Sequence, residues 1–288
     1  MNLIRAARTA INNPGMPGAY GRYLILRSLG MGGPYIRVGS DARVGRKWTN
    51  FSEYWSYRGP GHGPGPSLPS AVKSLIASSQ ARASGRAVAI DAGANIGLFT
   101  AAFAASGFSE VHAFEPVPAT FERLADNVAI NHFKSKVLLN PMGLGDQERV
   151  LNIRYDWKSP ATAHMVSEAT SDTCPVQITT LDKYAELNGI QRIDFLKIDT
   201  EGYETAVLLG SESLLNEKRV SLILLEWCPE LLVRAGSSPD RLWQLIKDMG
   251  YVLHPISLAP KTDRPLTLAE LKSNPWDNLI AVPAEAPM

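Results

Sequence analysis

The sequence predicts an α/β chain built on a mainly parallel seven-stranded sheet with helices on both faces. Three observations predict it. Short apolar runs of strand length recur from residue 86 to residue 283. Longer segments with helical periodicity separate most of them. The first run closes on an acid and a glycine-rich turn before its helix begins. Short buried strands alternating with helices signal βαβ units, with right-handed crossovers. In such sheets ligands bind at the carboxyl ends of the strands, where the strand order reverses.

The elements follow in order. Residues 1–30 mix arginine with apolar residues and predict one short helix, up to Ile11, before the Asn-Pro-Gly turn at 13–15. Residues 31–66 are rich in glycine and proline and end in GPGHGPGP (59–66), yet carry Tyr35, Trp48, Phe51, Tyr54, Trp55 and Tyr57. Glycine and proline oppose long regular elements, while the aromatics oppose simple disorder. This stretch reads as an ordered, loop-rich extension with a short strand at Tyr35–Val38. After Pro69 the pattern turns regular, with a helix over 70–82. Strands are expected at 86–91, 110–116, 135–140, 192–199, 219–227, 251–256 and 277–283, and helices at 97–106, 117–132, 203–215 and 238–249. Residues 149–154 and 176–180 look strand-like, with an irregular stretch between them. The division expected is an extension over 1–69 and a ligand-binding domain over 70–288.

Composition narrows the function. The chain has 288 residues, 45% hydrophobic and 20% charged, the makeup of a globular protein. Lys+Arg is 29 and Asp+Glu is 28, a net charge of +1 that disfavours a non-specific nucleic-acid binder. Two cysteines, Cys174 and Cys228, exclude a disulfide scaffold or a Cys-rich zinc site. No apolar run is long enough for a membrane span, and the N-terminus lacks a signal-peptide apolar core. A cytoplasmic protein is expected.

The first strand runs into Asp91-Ala-Gly93-Ala-Asn95-Ile-Gly97. Glycines at 93 and 97 permit a sharp turn and close approach of a ligand, and the helix beyond offers unpaired N–H groups. The G-x-G-x-x-G spacing of a dinucleotide loop is absent. An acid at the strand end would repel a pyrophosphate and suits a cationic ligand instead. Glu115 ends the second strand, where a carboxylate can accept from both hydroxyls of a ribose. Met142 and Gly143 follow the third strand, and a methionine there can pack on an adenine face. Asp146 in the same turn reads as a ligand contact or a plain turn residue. The fourth strand ends in Lys197-Ile-Asp199-Thr-Glu201-Gly202-Tyr203-Glu204. Two carboxylates, Asp199 and Glu201, at the mouth of a sheet imply a ligand, a metal or each other as partner. The alternative is that Thr200 or Glu201 caps the next helix.

The segments DAGANIGLFT (91–100), FEP (114–116), TTLDKY (179–184), LKIDTEGYE (196–204) and LLEW (224–227) together resemble the FkbM-type methyltransferases, over roughly residues 86–283. The resemblance implies the Rossmann-like class I methyltransferase fold and S-adenosylmethionine as cofactor. It implies that Asp91, Gly93, Asn95 and Gly97 surround the methionine part and that Glu115 holds the ribose. Met142 and Gly143 would border the adenine, and Asp199 and Glu201 would lie near the methyl group. PMGLGD (141–146) departs from the small-residue form of that turn. A sulfonium with an amino-acid tail and no phosphate fits the acidic loop.

Methyl transfer is an in-line displacement that depends on orientation, and a hydroxyl acceptor needs its proton taken. His164, in the irregular stretch, Asp199 and Glu226 are the candidate bases. A divalent metal on Asp199, Glu201 and Glu226 is the other way to lower the acceptor's pKa, though no His–carboxylate cluster demands one. His62, His112 and His132 read as structural. The aromatics at 48–57, with Trp157, suggest a lid, a sugar-stacking wall, a satellite core or a subunit interface that would make a homo-oligomer. The expected activity is O-methylation of a small molecule, sugar or glycan precursor, with no nucleic-acid partner. An NAD-dependent oxidoreductase and a non-catalytic binding module are the alternatives.

Overall fold

The computed structural model describes residues 35–38, 42–45, 74–79, 85–156, 159–166, 169–170, 173–256, 264–273 and 277–284. The first strands, β1 (Tyr35–Val38) and β2 (Ala42–Gly45), form an antiparallel hairpin. A helix, α1, covers 74–79. Then follow β3 (Val88–Ala92), α2 (Leu98–Ala105), β4 (Glu110–Phe114), α3 (Pro118–Ile130), β5 (Val137–Asn140) and β6 (Gly143–Leu144). After these come β7 (Arg149–Asp156), β8 (Ser159–Val166), β9 (Thr173–Thr179), α4 (Leu181–Leu187) and β10 (Phe195–Ile198). The chain continues through α5 (Glu204–Leu209), α6 (Glu212–Asn216), β11 (Ile223–Trp227), α7 (Pro229–Arg234) and α8 (Pro239–Asp248). It closes with β12 (Tyr251–Pro255), α9 (Leu268–Ser273) and β13 (Asp277–Pro283).

The large sheet has the order β12-β13-β11-β10-β3-β4-β5. Strands β11, β10, β3, β4 and β5 are parallel, and β13 runs antiparallel to both its neighbours. From β3 the chain builds outward through β4 to β5, and from β10 it builds the other way. The order therefore reverses between β3 and β10, where crevices open. Side chains alternate across the sheet. Val88, Ile90 and Ala92 of β3, with Leu196 and Ile198 of β10, enter a core shared with α5, α6 and α8. Ala89 and Phe195 enter the opposite core against Phe103 of α2 and Leu124 of α3. Asp91 and Lys197 continue this second face, so two ionisable groups are carried toward α2.

The structure corrects two expectations. The irregular stretch holds a strand, β8, and with the strand-like segments now seen as β7 and β9 and with β6 it makes a second sheet of four strands, ordered β6-β9-β7-β8. Its inner face is thin: Ile153, Val176 and Ile178 close over Val117. Pro160 and Pro175 break any apolar run, so its strands carry little pattern. The helix expected over 203–215 divides into α5 and α6. Ser211 Oγ donates to Val207 O (2.7 Å) and Asp182 N to Gly210 O (2.9 Å), diverting the backbone at the junction. Asp182 then caps α6, accepting from the Ser213 and Leu214 amides at 2.8 and 3.0 Å.

Candidate active site

The loop after β3 is fastened from two sides. Gly93 and Ala94 both donate to Phe114 O, at 3.1 and 2.8 Å. Gly93 has φ +75°, and a Cβ there would overlap the backbone carbonyl of Asp199. Glycine is therefore required for the ends of β3 and β10 to meet. Asp91 is wholly buried; its Oδ2 accepts from Thr100 Oγ1 at 2.6 Å, and its Oδ1 faces Lys197. Glu115 lies just past β4, 6% exposed. Its Oε2 accepts from Asn95 N and its Oε1 from Val117 N, both at 2.9 Å. Burial pushes its carboxyl up to about 7, against the pull of those two amides. Each oxygen keeps a second lone pair for a further donor.

The end of β10 supplies the rest. Lys197 is 4% exposed, and its Nζ donates to Gly93 O at 2.7 Å. The same ammonium is 3.3 Å from Asp91 Oδ1 and 3.4 Å from Asp199 Oδ2. Burial acts to lower the lysine's pKa, but the two carboxylates outweigh it and the net direction is up. Asp199 is the open member, with 41% of its side chain exposed. Glu201 follows in a left-handed backbone conformation, φ +56°. Burial first, then the charge of Asp199, pushes its carboxyl up to about 8. Gly202 has φ +102°, and a Cβ on it would overlap the Leu231 carbonyl of α7. The expected capping by Thr200 or Glu201 is not what holds this loop. Buried Glu204 reaches back, and its Oε1 accepts from Thr200 N (2.9 Å), Thr200 Oγ1 (3.0 Å) and Gly202 N (3.2 Å). Burial raises its carboxyl as well.

Neighbouring strands bring in further predicted residues. Met142 is partly buried against the core that Val88, Ile90 and Ala92 of β3 enter. Gly143 begins β6, in register with Ile178 of β9, and lies beside Pro116, the residue after Glu115. Asp146 pairs with Arg149 at 2.8 Å, and Arg149 also donates to Tyr203 Oη at 2.7 Å. That bridge ties the turn after β6 to the loop after β10. Glu226 follows Leu225, the register partner of Ile198, so it stands level with Asp199 one strand over. The site is thus an acidic mouth with one buried lysine, and nothing in it resembles a phosphate cradle.

The model of the methyltransferase FkbM domain matches residues 91–253, from the acid of β3 to the middle of β12. The chain belongs to the methyltransferase FkbM family. Three curated relatives are similar in sequence. Methyltransferase 1 of Beauveria bassiana is 30% identical over 142 residues, 42% of this chain and 57% of the relative. Methyltransferase sdnD of Sordaria araneosa is 28% identical over 193 residues, 56% of this chain and 72% of the relative. The hexuronic acid methyltransferase AglP of Haloferax volcanii is 29% identical over 161 residues, 55% of this chain and 60% of the relative. The match thus spans less than two thirds of the length of the first and third of these.

Within this FkbM framework the remaining expectations fall apart spatially. His164 lies on β8, the edge strand of the small sheet, in register with Arg154 of β7. It is on a regular strand, not in a loop, and in a different sheet from Asp199. His112 is buried, with Nδ1 2.8 Å from Tyr184 Oη, and burial lowers its pKa. His132 lies in the turn just past α3, with φ +58°. His62, Trp157 and the aromatics at 48–57 lie outside the described residues, as does the helix expected up to Ile11. Among the described residues no group of three or more His, Cys, Asp or Glu is arranged to hold a metal ion, and no helix is long and apolar enough to cross a membrane. The TTLDKY segment is explained by packing: Thr180 caps α4, Asp182 caps α6 and Tyr184 meets His112. Sequence reasoning gave no role to Lys197. The signal was a lysine inside FLKI, a strand buried on both faces, where a charge must have partners.

Proposed function

We propose that the chain transfers the methyl group of S-adenosylmethionine to a hydroxyl of a small molecule, sugar or glycan precursor. The observation that carries the reading is the acidic cluster at the strand-order reversal: Asp91, Glu115, Asp199 and Glu201 about a single lysine. The donor set fits that cofactor. It offers carboxylates for an ammonium, a sulfonium and ribose hydroxyls, and a glycine loop through which a chain can pass closely. The bound cofactor would supply an electrophilic methyl group on a positively charged sulfur.

The residues take these roles. Asp91, Gly93, Asn95 and Gly97 line the methionine side. Glu115 accepts from the ribose hydroxyls through its free lone pairs, while its two backbone bonds fix the carboxylate. Met142 and Gly143 border the adenine. Asp199, half open beside the fixed Lys197 ammonium, faces the reacting side with Glu201 next to it. The acceptor's proton goes to a carboxylate at this mouth, Asp199 or Glu226, with His164 of the small sheet as the remaining candidate. Glu201 joins these candidates, because a base works best with a pKa near the operating pH. Similarity to a hexuronic acid methyltransferase supports a carbohydrate acceptor.

Calorimetry of the purified chain with S-adenosylmethionine, S-adenosylhomocysteine and NAD tests the cofactor. Binding of the first two and not of NAD is expected; a folded sample that binds neither overturns the reading. Release of S-adenosylhomocysteine on a panel of hexuronic acids and other sugars then tests the acceptor class.

A further inference from the structure

We infer that Lys197 is a positioning residue that locks the cofactor side and the acceptor side of the site into one geometry; the inference rests on the methyl-transfer reading above. Lys197 belongs to β10, whose backbone pairs with β3 on one side and β11 on the other. Its neighbours along the strand, Leu196 and Ile198, are core residues. A lysine at such a place is costly unless its ammonium is paired and hydrogen-bonded. Here the ammonium donates to Gly93 O at 2.7 Å and is ion-paired with Asp91 Oδ1 at 3.3 Å and Asp199 Oδ2 at 3.4 Å. The Phe99 ring of α2 covers it at 5.3 Å.

The three acceptors belong to different parts of the site. Asp91 and Gly93 O belong to the loop that would surround the methionine tail. Asp199 is the exposed carboxylate on the reacting side. One ammonium therefore sets the distance between them and offsets the repulsion of two acids brought together at the reversal point. It also fixes one oxygen of Asp199, and with it the direction in which the other can meet an acceptor. A compact ammonium suits this pocket; a planar guanidinium presents a wider fork and cannot reach all three acceptors from the same stem.

Lys197→Met tests the assignment. Turnover should fall by about 100-fold, the penalty of a reacting group displaced by an ångström, with a smaller loss of S-adenosylhomocysteine affinity. The acid limb of the pH–kcat/KM profile should move upward, because the lysine's charge holds down the carboxyls of Glu115 and Glu201. Lys197→Arg should not restore turnover. Should Lys197→Met fail to fold, Lys197→Met with Asp91→Asn removes both buried charges together, and the same drop in kcat is expected there. A folded variant with wild-type kcat and pH profile, merely less stable, overturns the inference. A ligand-free readout separates it from the functional reading. In 15N-lysine spectra the protected Lys197 ammonium resonance should shift on Asp199→Asn. No shift overturns the positioning role, whereas a shift in a protein that binds no S-adenosylmethionine overturns only the methyl-transfer reading.

Discussion

The two loops at the mouth of the sheet, 91–97 after β3 and 199–204 after β10, are built alike and differ in what they leave available. Each turns at a glycine with positive φ that lies against a carbonyl of another segment, Gly93 on Asp199 and Gly202 on Leu231. Each is gripped by a buried glutamate that takes backbone amides. Glu204 spends one oxygen on three donors from its own loop. Glu115 divides its two oxygens between two amides and retains accepting capacity on both. The Glu204 clamp concentrates its bonds on one oxygen, and the Glu115 clamp spreads them over two. Burial of the acids shows the opposite asymmetry: Asp91 is wholly enclosed, and Asp199 is open. The difference teaches that one loop keeps its acid enclosed with a fixed carboxylate behind it, and the other leaves its acid open to solvent; in the proposed function the first would recognise through Glu115 and the second through Asp199.

The comparison can be broken most severely at its glycines. Gly93→Ala forces a methyl group onto the Asp199 carbonyl in a left-handed backbone, and should cost about 3 kcal/mol or more in chemical denaturation. Gly202→Ala should act in the same way through Leu231. If either is tolerated with little loss, the close approach is not obligatory.

The two glutamates should then separate. Glu115→Ala should weaken S-adenosylhomocysteine binding by at least about tenfold, the loss of charge-assisted hydrogen bonds to hydroxyls. Glu204→Gln should cost about 1–3 kcal/mol of stability, by leaving buried donors poorly paired, with little direct effect on affinity. Asp199→Ala should instead lower kcat while leaving cofactor affinity within a few-fold. Equal effects of the two glutamate variants on binding and stability would erase the distinction between the loops.

The pH dependence sharpens it further. Glu115 and Glu201 have folded-state pKa values near 7 and 8, above the ordinary carboxylate value of 4.5. The folded state then binds more protons than the unfolded state in the interval between. Their contribution to stability is full below about pH 4.5 and is lost as pH rises through 7 to 8. Thermal unfolding of Glu115→Gln should therefore fall less steeply across that window than wild type. Ligand binding should run the other way, since ionised Glu115 is the better acceptor of two hydroxyls. The smallest effect is expected at the strut between loops: Tyr203→Phe removes the Arg149 hydrogen bond and should cost about 0.5–1.5 kcal/mol.

The large sheet was legible because its strands are mostly apolar and the longer helices α3 and α8 bury one face of a 3.6-residue pattern. Strand β13 matches its predicted span of 277–283, and Tyr35–Val38 its predicted strand. The acids at strand ends were legible because a carboxylate closing a buried run has no role in the core. In the small sheet β7 and β9 were legible as the strand-like 149–154 and 176–180, but β8 was not, because Ser159–Val166 holds a proline and small residues and takes its order from pairing with β7. The clamp by Glu204 was missed because capping by the residue nearest the turn is the local expectation. Lys197 was read as part of a motif and not as a charge in need of partners.

By itself the sequence determined the order of the seven large-sheet strands and of the longer helices between them, the acids that close those strands and the glycines that follow, because periodicity and strand-end chemistry are local. Only the tertiary structure decided which of those acids share an environment. Register places Asp91 beside Lys197, and packing buries Glu115 and partly buries Glu201. A pKa, a shared ammonium and a clash with a distant carbonyl depend on atoms far apart in the chain, and folding alone brings them within reach.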